Sequence, residues 1–143
     1  MDTNGDTRML LLKDLCSRLP YGVIVKYKSR QGEGDVQLGC GNIEYVSQLG
    51  NGWWKECKPY LRPMVSMSEE EKKEMHNLLS PDGTAEYIND GIRTPLSHFG
   101  DFIPYEYMGR VLDWLNAHHF DFRNLIEKGL AIAVTEENNP YKE

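Results

Sequence analysis

His118-His119-Phe120-Asp121 places two imidazoles and a carboxylate within four residues. These are side chains that hold metals or move protons. Spacing argues for a structural use instead. Consecutive residues of a helix point about 100° apart, so both rings do not face one ion, and the H-E-x-x-H pattern of a helical zinc site is absent. One imidazole near a helix C-terminus and Asp121 as a cap account for the run. His118, His119 and Asp121 stay weak catalytic candidates, for a small metal-dependent or His-based hydrolase. Cys16, Cys40 and Cys57 form no C-x-x-C pair, so reduced thiols are expected. Cys40 and Cys57 would need His76 or His98 brought in by long-range folding to bind zinc. Gly32-Glu33-Gly34 and Gly39-Cys40-Gly41 match no phosphate loop and read as hairpin turns. No G-x-S-x-G occurs, so a nucleophile elbow has no support. No metal and no cofactor are expected, and an enzyme ranks below a binding protein.

The stronger signal is a surface. Trp53, Trp54, Lys55, Lys58, Tyr60 and Arg62 mix aromatic and basic side chains in one short segment. Neighbouring strand residues face opposite sides, so one indole is expected in the core and the other outside. An exposed indole beside Lys and Arg stacks on a base or holds a peptide side chain. The net charge is −6, and it is uneven. Residues 20–63 carry +2, whereas residues 64–143 carry −8. Phosphate neutralisation supplies most non-specific nucleic-acid affinity, so only the middle third suits nucleic acid. A protein partner is the leading expectation, and nucleic acid through residues 20–63 the alternative.

Elements must position these residues. Leu12, Leu15, Cys16 and Leu19 line one face of a helix over 7–19, capped by Asp6 or Thr7 and stopped by Pro20. Alternation then predicts strands at 22–28, with Val23, Val25 and Tyr27 on one face, at 35–40, at 43–46 and at 53–58. Turns are expected at Arg30–Gly34, Gly41-Asn42 and Leu49–Gly52. Ser68 and Glu71 form a capping box ahead of a helix from Glu69 to about Leu79. Pro81-Asp82-Gly83 and Asn89-Asp90-Gly91 mark turns, the second joining strands 85–88 and 92–94. Pro104 opens a helix to Ala117 with a Met108, Val111, Leu112, Leu115 stripe. Asp121 caps a short helix from Phe122 to Lys128, and Gly129 stops it. Residues 130–134 add a last strand or pack as an extended segment, and 135–143 is expected to fray.

Three blocks carry a resemblance: Asp14-Leu15-Cys16-Ser17-Arg18-Leu19-Pro20-Tyr21-Gly22-Val23, Lys58-Pro59-Tyr60-Leu61-Arg62-Pro63-Met64, and Trp114–Arg123 with Leu125–Ala131. Together they resemble a family of small proteins from prophages and mobile elements of gut anaerobic bacteria, for which no activity is established. The resemblance spans roughly half of the chain, transfers no catalytic residue, and leaves 80–103 as an insertion.

The expectation is one α+β domain. A small, strongly bent antiparallel sheet, an SH3-like half-barrel over residues 21–62, packs with the N-terminal helix and two or three C-terminal helices. Residues 7–63 hold the helix and sheet, 64–134 the acidic helical part, and 135–143 the tail. No apolar stretch approaches the roughly 18–20 residues of a membrane span, and Met1–Asp6 is polar where a signal peptide is basic and apolar, so a cytoplasmic protein is expected.

Overall fold

The computed structural model describes residues 4–49, 52–79, 86–88, 91–93 and 105–142. Gly50-Asn51, Pro81-Asp82-Gly83, Ala85, Asn89-Asp90, Thr94, His98 and Pro104, each part of an expectation above, lie outside them. The chain divides into two compact units, residues 1–64 with 116–143 and residues 65–115.

The larger unit is α+β. Helix α1 (Asn4–Arg18) runs through a 3-10 turn (Leu19–Tyr21) that contains Pro20. Gly22, at φ 72°, reverses the chain in a left-handed conformation that glycine adopts without a Cβ penalty. Strands β1 (Ile24–Ser29) and β2 (Gly32–Gln37) form a hairpin closed by Ser29↔Gly32 around Arg30-Gln31. A short helix α2 (Ile43–Ser47) leads to β3 (Trp54–Leu61), and β6 (Ile132–Ala133) closes the order β2-β1-β3-β6.

Three expectations are corrected. The sheet is open and mixed, because β6 pairs parallel with β3 at Tyr60↔Ile132 and Leu61↔Ala133. Residues 43–47 are helical: Gly39 C=O accepts from both Asn42 N–H and Ile43 N–H while Asn42 Oδ1 accepts from Gly39 N–H, so the expected hairpin turn winds into a helix. Ile43, Val46 and Leu49 then fall on the core side, a spacing that a short apolar run leaves ambiguous. Residues 122–128 form turns, not a helix, because Asn124 sits at φ 65°.

Helix α1 brings the least expected feature. Its buried stripe is Leu11, Asp14, Leu15 and Arg18, at i, i+3, i+4 and i+7, while Cys16 is exposed. Asp14 and Arg18 are both 0% exposed. Arg18 Nε donates to Asp14 Oδ2 (2.8 Å) and Arg18 Nη2 to Asp14 Oδ1 (3.1 Å) and to Phe120 C=O (2.8 Å). Arg123 Nη1 adds a second cation on Asp14 Oδ1 (2.9 Å). Around this knot Val23, Val25, Leu38, Val46, Trp54, Leu61 and Leu125 form the core.

The second unit is described by itself. Helix α3 (Glu69–Leu79) starts on the expected capping box: Glu71 N–H donates to Ser68 Oγ (3.1 Å) and Ser68 N–H to Glu71 Oε1 (3.0 Å). Strands β4 (Glu86–Ile88) and β5 (Gly91–Arg93) make the antiparallel hairpin. In helix α4 (Tyr105–Ala117) Trp114 and Leu115 are buried, and Trp114 Nε1 donates to Glu74 (3.0 Å). Met108 and Leu112 of the expected stripe are exposed. No helix among the described residues is long and apolar enough to cross a membrane.

Removing one partner of a buried pair strands a charge, which costs about 3–5 kcal/mol. Asp14→Asn is expected to lower the stability measured by urea unfolding by that order. The double variant Asp14→Leu/Arg18→Met, which strands neither partner of the pair, should lose clearly less.

Candidate functional site

Register explains where each tryptophan points. Ser29 pairs with Trp54 and Lys28 with Glu56, so Lys55 is an extra residue, a β-bulge in β3. Trp54 turns inward at 3% exposure, stacked on Tyr27 (ring centroids 5.0 Å, 12°) and tilted against Tyr45 (5.1 Å). Trp53, one residue ahead of the strand, is 54% exposed. The expected split of the two indoles is therefore the arrangement observed.

The remaining surface candidates do not share one patch. Tyr60 is buried and its hydroxyl donates to Asp35 Oδ1 (2.9 Å); burial first, then Asp35, pushes that phenol up to about 12. Arg62 lies over the Phe120 ring (4.1 Å), its N–H donates to His119 C=O (2.7 Å), and its C=O accepts from Asp121 N–H (2.9 Å). On the outer sheet face Lys26 pairs with Glu33 (3.9 Å), Lys28 with Glu56 (3.7 Å) and Lys58 with Glu56 (3.4 Å). Alternating charge of this kind is no continuous basic strip. Lys55, on the bulge, is exposed.

Sequence reasoning missed a groove beside β3. Just ahead of β1, Val23 C=O accepts from Leu38 N–H, so the backbone groups of odd-numbered residues of β1 point to β2 and those of even-numbered ones to β3. Glu56 and Lys58, paired with Lys28 and Lys26, therefore face β1, and Cys57 and Pro59 face the opposite edge. Strand β6 pairs with that edge at Tyr60 and Leu61, and Cys57 and Pro59 on it are buried. Beside the rest lies a groove of about 420 Å³. Leu11, Leu49, Cys57 and Leu130 supply its apolar lining, and Arg8, Lys55, Lys58, Glu56 and Thr7 the polar part. Pro59, which has no N–H to offer that edge, is fully buried and does not line the groove. Burial first, then Glu56, pushes the Cys57 thiol up to about 12, so it stays protonated and a poor nucleophile at neutral pH.

The His118-His119-Asp121 run is split among separate structural tasks. Asp121 is buried, and its carboxylate accepts from Leu125 N–H (2.8 Å) and Ile126 N–H (2.9 Å), organising the turn that replaces the expected helix. His118 C=O accepts from Arg62 Nη1 (3.4 Å). His119 adopts φ 64° and stacks on Tyr141 with centroids 3.7 Å apart, 9° from parallel. Among the described residues, His119 Nδ1 and Arg18 Nη1 are buried and find no hydrogen-bond partner. Among the described residues no three His, Cys, Asp or Glu side chains gather as a metal site; Cys40 is exposed and Cys57 buried.

Tyr141 also corrects the expectation of a frayed tail. The next pair in the β1–β3 register after Val25↔Pro59 would be Ile24 and Tyr60, and the phenol spans it. Ile24 N–H donates to Tyr141 Oη (2.9 Å), which donates to Tyr60 C=O (2.8 Å). Upstream, Asn138 Oδ1 accepts from Thr135 N–H (2.6 Å) and Asn138 Nδ2 donates to Ala133 C=O (3.0 Å). A polar run read as solvated is thus held by one aromatic and local side-chain turns.

Burial first, then Arg18, His118 and Arg62, lowers His119 to about 4 from its ordinary 6.5. The unfolded chain therefore binds the proton more readily between those values. Stability is full above about 6.5 and lost as pH falls toward 4. Thermal unfolding across pH 4–8 should show that decline. It should be shallower in His119→Asn, since asparagine tolerates the left-handed backbone. Under native conditions a disulfide reagent should label Cys16 and Cys40 rapidly and Cys57 only on unfolding.

No family model, no curated protein and no solved structure matches the chain.

Proposed function

We propose that the chain is a non-enzymatic protein-interaction module, acting in the cytoplasm and encoded by a mobile element, that docks a protein partner around Trp53. The observation that carries this reading is the 54% exposed Trp53 indole immediately before a strand whose next residue, Trp54, is locked in the core. An indole on a rigid base buries a large area at little entropic cost, and Trp is among the commonest interface hot spots. Trp54 and Tyr60 act beneath the surface, as its support. Mobile-element origin rests on the three sequence blocks alone. The SH3-like half-barrel form of residues 21–62 belongs to the same reading; what supports it is the bulge at Lys55, since bulges bend their strand.

The two partner classes separate experimentally. The test is affinity purification with the full chain from the host, before and after nuclease, with wild type, Trp53→Ala and the exposed control Val65→Ala. A nuclease-resistant protein partner is expected with wild type and Val65→Ala and lost with Trp53→Ala, while urea unfolding of the variant stays within about 0.5 kcal/mol of wild type. An unchanged partner set for Trp53→Ala contradicts the reading. Recovery of nucleic acid, with affinity falling steeply as salt rises, replaces it with the nucleic-acid alternative.

A further inference from the structure

We infer that the open edge of β2 takes an added antiparallel strand from a protein partner, with Lys or Arg at alternate positions. The inference rests on the docking reading above and names the chemistry of the partner segment.

The edge is an accessible backbone ladder. Strand β2 ends the order β2-β1-β3-β6, so one side pairs with β1 and the other with no strand among the described residues. Leu38 N–H bonds the C=O of Val23 directly opposite it, and hydrogen-bonded pairs alternate along an antiparallel ladder. Gly32, Gly34 and Val36 therefore bond to β1, while Glu33, Asp35 and Gln37 turn their N–H and C=O outward. All three are exposed. An incoming strand makes main-chain hydrogen bonds at such an edge. The ladder also has ends. Asn42 Nδ2 donates to Gln37 C=O (3.4 Å), and the Arg30-Gln31 turn precedes Gly32. Complete rungs remain at Glu33 and Asp35, two residues or about 7 Å apart.

Charge selects what pairs there. Residues opposite one another on neighbouring strands share a face, where opposite charges stabilise and like charges destabilise. Glu33 and Asp35 put two carboxylates on one face of the rim. Lys26 approaches Glu33 only to 3.9 Å, with both side chains solvated. Asp35 accepts from the Tyr60 phenol, which is neutral and leaves the carboxylate its charge. A second copy laid antiparallel across the middle of β2 sets Asp35 against Asp35 or Glu33 against Asp35, so the edge repels its own kind. It repels phosphate for the same reason. Lys or Arg opposite each acid is the complement. The intervening side chains of the added strand fall on the face of Gly34 and Val36. There Tyr27 leans across Gly34, its hydroxyl 3.2 Å from where a Cβ would stand, and Tyr27 and Val36 are half-buried. Aliphatic side chains suit that shelf. Trp54 pairs with Ser29 and Ser29 with Gly32. The start of the edge and Trp53 thus lie at the same end of the sheet, with Gly32 and Trp54 two strand spacings, about 10 Å, apart. One partner reaches both.

The test is fluorescence anisotropy of the full chain with an acetylated, labelled octapeptide alternating Lys with Val. In an antiparallel pair the residues opposite Glu33 and Asp35 exchange the hydrogen bonds. N-methylation of the Lys residues should therefore weaken binding about tenfold or more, equivalent to about 1.4 kcal/mol. N-methylation of the Val residues, at identical charge, should leave it within about twofold. Glu33→Gln/Asp35→Asn should cost about tenfold as well, and the exposed control Glu69→Gln/Glu70→Gln little. No binding, equal binding of a Glu-Val octapeptide, indifference to which residues are N-methylated, or indifference to Glu33→Gln/Asp35→Asn overturns the inference. So does a dimer in solution that the peptide dissociates, which would make a second copy the occupant. If Trp53-dependent capture of a protein persists while the peptide fails, the edge is excluded and the docking reading stands. If the peptide binds as expected while Trp53→Ala changes no partner, the docking reading fails and the edge remains.

Discussion

The buried Asp14–Arg18 ion pair is the constraint from which the larger unit follows. Two charges taken out of water are costly, and their attraction offsets this only with near-complete hydrogen bonding. Here Asp14 accepts from Arg18 twice and from Arg123 once, and Arg18 spends a further donor on Phe120 C=O, leaving only its Nη1 without a partner among the described residues. Those last two links reach more than 100 residues along the chain. They fix where residues 120–123 meet α1. Phe120, fully buried, then sits against Arg62, whose own N–H and C=O bond to the segment on either side of it.

From that junction the rest of the C-terminal segment is placed by short steps. Asp121 bonds two amides ahead of it and turns the chain so that Leu125 enters the core. Leu130 reaches the groove, and β6 lands on the far edge of β3, where Val134 N–H donates to Leu61 C=O (2.8 Å). Tyr141 closes the path by bridging β1 and β3 just where their ladder ends. Its phenol is pushed up to about 12 by burial, so it keeps the proton it donates. The groove at β3 is thus assembled from α1, Leu49 just beyond α2, the strand itself and the returning segment, all within one unit.

Local rules were readable in the residues; long-range choices were not. Alternation in Val23-Ile24-Val25-Lys26-Tyr27 and the Ser68/Glu71 box describe interactions within a few residues, and both appear as expected. That one of the two indoles lies inside and the other outside follows from the two-residue period of a strand, but which one does not, since Trp53 stands one residue ahead of β3. Helix α1 shows the limit. Its apolar spacing pointed to Leu12 and Cys16, whereas the buried stripe includes Asp14 and Arg18, because the partners that make their burial tolerable, Arg123 and Phe120 C=O, are remote in sequence. Ile43–Val46 was too short for its period to separate strand from helix. The groove was invisible for the same reason as the ion pair, since Arg8, Leu49, Lys55 and Leu130 meet only in three dimensions. Of the six surface residues named from sequence, Trp53 and Lys55 are exposed, Lys58 is half-buried and paired with Glu56, and Trp54, Tyr60 and Arg62 hold the scaffold.

Native-state hydrogen exchange of the Arg62, Asp121 and Val134 amides tests most directly whether the ion-pair junction makes the returning segment part of the folded body. The account predicts that all three exchange only through global unfolding, with the same opening free energy as the Val25 amide in the central hairpin. Exchange of these three through a local opening of much lower free energy, with Val25 still protected, would contradict it.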